Sequence, residues 1–98
     1  MTAELPARIQ LRRTKGWRKP PAAVVVARPT KWGNPYRVAE HGREQAVALY
    51  RRYLADHPDL ADAARHELAG RDLACWCPPY LRCHADVLLE VANGAETR

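Results

Sequence analysis

No apolar run in this 98-residue sequence approaches the ~20 residues that a helix needs to cross a bilayer. The N-terminus lacks the basic stretch, apolar core and small-residue cleavage site of a signal peptide. A cytoplasmic protein with no membrane partner is therefore expected. Cysteine is scarce and odd in number, with three residues that all fall between positions 75 and 83. That is a poor disulfide framework for a secreted domain. In a reducing compartment the readings left are buried thiols, a metal site or a reactive thiol. Internal repeats and low-complexity tracts are missing, as are zinc-finger and RNP motifs.

Acid is missing from the whole stretch between Leu5 and Ala39. Residues 1–39 carry nine Lys/Arg against Glu4 alone, a net +8, while residues 40–98 carry seven Arg against ten Asp/Glu, a net −3. A one-sided basic field attracts phosphate, in a nucleotide or in a polynucleotide. Lysine is also rare, three residues against thirteen arginines. Arginine suits bidentate phosphate contacts, but Ala/Arg-rich, Lys-poor usage reflects a GC-rich genome equally well, as in an actinobacterium or its phage. The composition, 47% hydrophobic and 28% charged, belongs to a folded domain, and the length allows one modest core.

The spacing predicts a single α/β domain over residues 7–94, with flexible ends at 1–6 and 95–98. Ala7–Arg13 alternates Ile9 and Leu11 with polar residues, as a half-buried strand does. Thr14–Pro21 is a basic loop. Ala22–Ala27 is a continuous Ala/Val run and reads as a strand buried on both faces. Helices are expected over about Arg43–Ala55 and Asp59–Leu68, the latter stopped by Gly70. Asp72–Cys77 is a third strand, with Leu73, Cys75 and Cys77 on one side and Ala74 and Trp76 on the other. A last helix opens at Cys83 or His84 and ends at Asn93-Gly94. The order is ββααβα, three strands and three helices in two or three layers. The 22–27 and 72–77 strands flank a crossover and should be parallel neighbours. Ligands of such sheets bind beyond the carboxyl ends of the strands.

Two stretches at those ends hold most of the chemistry. In Arg28-Pro29-Thr30-Lys31-Trp32-Gly33-Asn34-Pro35-Tyr36, Arg28 and Lys31 can hold phosphate, and Trp32 and Tyr36 offer flat faces to a base. Gly33 permits close backbone approach, and Asn34 can read an amide or hydroxyl edge. The competing reading is a rigid Pro/Gly loop whose Trp plugs the core. In Cys75-x-Cys77-x5-Cys83-His84 three readings compete. Zinc has the right ligand count, but C-x-C followed by an adjacent Cys-His departs from the usual separated C-x2–4-C pairs, which weighs against it. Cys83 at a helix start, helped by His84 and Arg82, suits a reactive thiol, and Asp86 could orient a His or bind a ribose hydroxyl. Cys75 and Cys77 suit a core strand face. The loop with Arg12, Arg13, Lys15, Trp17, Arg18 and Lys19 mixes basic and aromatic residues, as a single-strand nucleic-acid surface does.

At Arg28-Pro29-Thr30-Lys31-Trp32-Gly33-Asn34-Pro35, Gly70 to Leu73, and Cys75-Trp76-Cys77…Cys83-His84-Ala85-Asp86-Val87-Leu88 the chain resembles domain-of-unknown-function family 4326, small proteins of bacteria and their phages. The resemblance runs over about residues 8–93. The family usually has Phe where this chain has Tyr36, and Gly where it has Ala85. It implies a pattern and no assigned activity.

The expectation is a domain that binds a nucleotide or related phosphorylated ligand between the 28–36 loop and the 83–86 helix start. If it is an enzyme, hydrolysis or transfer at a nucleotide is expected, with His84, Asp86 or Cys83 as the catalytic groups. The alternative is a non-enzymatic module that binds nucleic acid or a host protein through the basic N-terminal half. The third reading is a small structural zinc domain using Cys75, Cys77, Cys83 and His84.

Overall fold

Leu73, Ala74 and Cys75 are buried on every side, and a strand with that property belongs at the centre of a sheet. The computed structural model of the chain describes residues 6–78 and 80–94. Of the ends expected to be flexible, 1–5 and 95–98 lie outside the described residues, as does Pro79. The elements are β1 (Arg8–Gln10), β2 (Val24–Val25), α1 (Val38–His41), α2 (Arg43–Asp56), α3 (Pro58–Glu67), β3 (Leu73–Cys75) and α4 (His84–Asn93). The strands form one parallel sheet in the order β1-β3-β2. Leu73 stands opposite both Arg8 and Val24, and Ala74 opposite both Ile9 and Val25. The ladder runs one step further on each side, from Leu11 N–H to the Cys75 carbonyl (2.7 Å) and from Val26 N–H to the Ala74 carbonyl (2.9 Å).

The α/β class and the parallel pairing of the 22–27 and 72–77 segments are present, with the first strand added on the far side of β3. One expectation is corrected. The Ala/Val run is not buried on both faces: Val24 and Val25 are half-buried because β2 is an edge strand. Leu73-Ala74-Cys75 takes the central place instead. A one-turn helix, α1, precedes the helix expected after Gly42.

Each main helix buries one stripe. α2 turns in Ala46, Val47, Tyr50 and Leu54, the i, i+4, i+8 spacing of an amphipathic helix. It stops at His57 because Pro58 follows; Pro58 then opens α3 at a first-turn position where its missing N–H costs nothing. Asp59 lies in that first turn and Arg65 and His66 in the last, matching the helix dipole at both ends. α4 ends on Gly94 in the left-handed conformation (φ +75°). α4 lies against β3 and β1 and is flanked by α2 and α3. The core therefore gathers Tyr50, Leu68, Leu73, Leu88, Val26, Val87 and Trp32, each large apolar side chain contributing about 1.5–3 kcal/mol by leaving water. β2 and β3 run out at the same edge, so the chain after Val25 and the chain after Cys75 meet there.

Candidate functional site

At that edge lies a crevice of about 230 Å³. Its lining comes from the loop after β2 (Ala27, Arg28, Asn34, Tyr36), from α1 and α2 (Val38, Arg43, Ala46, Val47), and from the segment after β3 (Cys75, Trp76, Cys77, Cys83, His84). No acidic residue is among them. The two sequence-distant stretches thus do face one space.

The 28–36 loop is wired to itself and to α2. Thr30 Oγ1 donates to the Ala27 carbonyl (2.7 Å) and Arg28 Nη1 to the Asn34 carbonyl (2.7 Å). Asn34 is buried; its Nδ2 donates to the Ala46 carbonyl (3.0 Å) and its Oδ1 accepts from Tyr36 N–H (2.9 Å). Gly33 backs directly onto Arg28: a Cβ there would stand 2.6 Å from Arg28 Cγ and 2.9 Å from Arg28 Cα. The second atom is backbone and cannot swing away. Gly33→Ala is accordingly expected to cost about 1–3 kcal/mol, the usual range for forced overpacking, and to displace Arg28 from the crevice. Urea denaturation with fixed m-value measures it; an unchanged midpoint would mean that the loop yields freely.

The segment after β3 folds the other way. Cys83 is the N-cap of α4: its Sγ accepts from Ala85 N–H (3.4 Å), and Asp86 reaches back to accept from Cys83 N–H (2.9 Å), a reciprocal capping box. This brings the three sulfurs together, all within 4.8 Å of one another. Cys75 Sγ and Cys83 Sγ are 3.2 Å apart, and Cys83 Sγ is 3.4 Å from His84 Nδ1. His84 Nε2 lies 2.7 Å from the Val26 carbonyl. A carbonyl can only accept, so Nε2 carries the hydrogen and Nδ1 presents a lone pair to Cys83 Sγ.

Two guanidinium groups bracket this cluster. Arg43 Nη1 donates to Cys77 Sγ (3.4 Å) and to the Arg82 carbonyl (2.9 Å). Arg8 is threaded through the core from β1, its side chain 7% exposed. Its Nη2 donates to the Pro78 and Leu81 carbonyls (2.8 and 2.6 Å), and its Nη1 lies 3.5 Å from Asp86 Oδ2. Among the described residues, Arg8 Nη1 is the buried side-chain polar atom left without a hydrogen-bond partner. Burial opposes the Arg8 charge, but Asp86 and Cys83 outweigh it and hold the guanidinium protonated. Hydrogen bonds from Cys75 and Cys77 push the Cys83 thiol well below its ordinary value against the cost of burial, with help from Ala85 N–H and Arg8. Cys75 is pushed up by its bonds to Cys77 and Cys83 and by burial. Burial lowers His84, outweighing its bond to the Val26 carbonyl, and the Arg28 and Arg8 charges add to the effect. The imidazole is thus neutral near pH 7.

Several sequence expectations are corrected. Trp32 does not face the crevice: it is 4% exposed and sits in the core, and its carbonyl accepts from Tyr50 Oη (2.7 Å). Lys31 points away, paired with Glu67 (3.0 Å) and placed above the Trp32 ring. The α4 start is not open to phosphate, because the Cys83 thiol and carbonyl already take the Ala85 and Asp86 N–H groups. Asp86 is committed to Cys83 N–H and Arg8 and does not line the crevice, so it is no acid or base there. Cys83, 2% exposed, is as deep as Cys75, whereas Cys77 is half-buried. The division into two core thiols and one rim thiol therefore fails, and all three line the crevice. Arg28, Asn34, Tyr36 and His84 are there as expected, and Gly33 supports Arg28 from behind.

Three residues escaped the sequence reading. Arg8 looked like one basic residue of an alternating strand, and Arg43 like an ordinary first-turn residue. Trp76 was set aside as the far face of a strand, but the strand ends at Cys75, and Trp76 stands 44% exposed at the crevice with Arg13 stacked 4.5 Å over its ring. Of the alternative nucleic-acid surface, Arg12, Arg13, Lys15 and Arg18 are exposed, Trp17 is half-buried, and Lys19 Nζ donates to the Ala23 carbonyl (2.6 Å).

No helix among the described residues is long and apolar enough to cross a membrane. Comparison with curated proteins and with solved structures finds no match. The family model described as a domain of unknown function (DUF4326) matches residues 9–94, which is nearly the whole chain, and the protein belongs to that family.

Proposed function

We propose that the crevice binds a nucleotide or a closely related phosphorylated ligand. The observation that carries this reading is the charge of the crevice wall: Arg28, from the loop after β2, and Arg43, from the start of α2, both line it, and no described lining residue is acidic. Both guanidiniums spend only one nitrogen on backbone carbonyls, which leaves donors for a phosphate. Tyr36 and the half-exposed Trp76 supply flat faces beside them, the role that the sequence had given to Trp32. Ala27, Val38, Ala46 and Val47 make the rest of the wall apolar, as pockets for small organic ligands are. The space, at about 230 Å³, suits a mononucleotide-sized group with part of the ligand left in solvent.

A thermal-shift screen of mono- and dinucleotides at low salt tests the reading. At least one should raise the melting temperature, and Arg28→Ala or Arg43→Ala should weaken its binding at least about tenfold, the loss of one charge-assisted contact of ~1.5–3 kcal/mol. Lys15→Ala and Arg18→Ala should leave it unchanged. No shift with any nucleotide would end the proposal.

One observation favours a second reading: Arg13 stacked on Trp76 extends the basic N-terminal half to the lip of the crevice. If a single-stranded oligonucleotide is the ligand, its binding should weaken steeply with salt and depend on Arg12, Arg13, Lys15 and Arg18.

A further inference from the structure

We propose that Cys75, Cys77 and Cys83 form a site for a thiophilic divalent cation, Zn²⁺ in the test below, with His84 Nδ1 as the fourth donor. Four observations converge. The three sulfurs all lie within 4.8 Å of one another. Four ligands at tetrahedral angles around zinc, with Zn–S of about 2.3 Å, stand about 3.8 Å apart; with Cys75 and Cys83 Sγ at 3.2 Å and all three sulfurs within 4.8 Å, side-chain shifts of about an ångström or less bring them onto one coordination sphere. Cys75 ends the central strand, Cys77 lies in the bend just after it and Cys83 is the N-cap of α4, and their sulfurs are already gathered.

The third observation is the orientation of His84. Its Nε2–H is bonded to the Val26 carbonyl at 2.7 Å, and its Nδ1 lone pair lies 3.4 Å from Cys83 Sγ. A backbone carbonyl on the far nitrogen is how proteins fix the tautomer and direction of a metal-binding imidazole. The adjacency of Cys83 and His84, which weighs against zinc in the sequence, is overcome by the N-cap geometry. Cys83 has extended backbone (φ −152°, ψ 161°) while His84 is already helical, so the two side chains turn to the same side and Nδ1 stands beside Cys83 Sγ, from where the imidazole can complete the sphere that the three sulfurs begin.

The fourth observation is charge. Three thiolates and a neutral imidazole around Zn²⁺ carry one net negative charge. Arg8 and Arg43 flank the sulfurs, and Arg8 Nη1, buried, has no hydrogen-bond partner. Arg8 Nη1 also has Asp86 Oδ2 at 3.5 Å, so the two guanidiniums have one carboxylate between them, and the positive charge left over beside the thiols fits a counter-charge for a metal thiolate centre better than it fits three neutral S–H groups.

The test uses the full chain, reduced, stripped with chelator and returned to metal-free buffer. Titrated against a chromophoric chelator, it should take up one equivalent of Zn²⁺ at about nanomolar Kd or tighter, the range of structural zinc sites near neutral pH. Co²⁺ should give the intense visible bands of a tetrahedral ion with a thiolate-to-metal band in the near ultraviolet, a readout that requires no variant. Cys77→Ser, at a half-buried position that tolerates a hydroxyl, should weaken Zn²⁺ by more than about 100-fold, beyond the 10–100-fold expected of an outer partner, and should keep its far-ultraviolet dichroism. His84→Ala should weaken it at least about tenfold. The proposal is overturned by reduced wild-type protein that takes up no zinc, by octahedral Co²⁺ spectra, or by an unchanged Kd in Cys77→Ser. None of these readouts involves a nucleotide, so the outcome is independent of the ligand reading of the crevice.

Discussion

Trp32→Ala is expected to remove about 3–5 kcal/mol of folding stability, at least a fifth of the ~5–15 kcal/mol that a domain of this size holds. The indole is 4% exposed and shares the buried cluster with Tyr50, Leu73 and Leu88. Truncation leaves a void in a core too small to close over it, so lost transfer energy and cavity cost add. The backbone suffers as well, because the Trp32 carbonyl is where Tyr50 Oη discharges its hydrogen bond. Urea unfolding followed by circular dichroism gives the loss as a shift in midpoint. A companion variant separates packing from recognition. Trp32→Leu keeps an apolar filler and discards the flat face. Its stability should fall by less, and its affinity for any nucleotide found in the screen should stay within about twofold. A tenfold loss of affinity in a folded Trp32→Leu protein would return the ring to the ligand.

Asp86→Ala should cost about 3 kcal/mol or more, for a reason unrelated to catalysis. Asp86 is the carboxylate that faces the Arg8 guanidinium, whose side chain is 7% exposed, and it also accepts from Cys83 N–H at the start of α4. Removing one partner of a buried pair leaves a charge in a poor solvent, typically a loss of 3–5 kcal/mol, and the lost cap adds about 1 kcal/mol. Asp86 is itself one-third exposed, so water reaches the pair and holds the total near the lower figure. A double-mutant cycle with Arg8→Met checks the assignment by chemical denaturation. If the charges are coupled, the double variant should be more stable than the sum of the singles by 0.5–3 kcal/mol. Strict additivity would show that Asp86 acts only as a cap.

Much of the frame was legible in the residues. The β-branched 22–27 run, the helical spacing of Ala46, Tyr50 and Leu54, and the Asn93-Gly94 stop are local signals, and local signals survive folding. The parallel pairing followed from the crossover between the two strands. What escaped depends on non-local choices. Whether the Ala/Val run or Leu73-Ala74-Cys75 would be central is decided by which strand finds neighbours on both sides, and periodicity does not report that. Trp32 and Trp76 are the clearest pair. Both lie in the segments that follow strands, and no property of tryptophan says which will plug the core and which will face the crevice. The answer lies in the tight turn of residues 30–33, which turns Trp32 inward. Arg8 was hidden for a similar reason: a lone arginine in an alternating strand is usually solvated, and only Asp86 and the carbonyls of the 78–81 turn make its burial affordable. The convergence of the cysteines was half visible, since the i, i+2 relation places Cys75 and Cys77 together. The capping geometry that swings Cys83 onto them was not.

The central position of β3 also sets a schedule for synthesis. Among the described residues β1 and β2 each pair with β3 alone, and these sheet contacts reach across half the chain or more, Val24 and Arg8 both standing opposite Leu73. At ~5–20 residues per second, the nascent chain spends several seconds with both outer strands made and nothing to hold them. Such non-local pairing is slow to form because the loop must close before any contact rewards it. Until Leu73–Cys75 emerges, the growing chain can build helices but no sheet. The thiols, the buried arginine and the crevice can assemble only once β3 and the segment after it have been made.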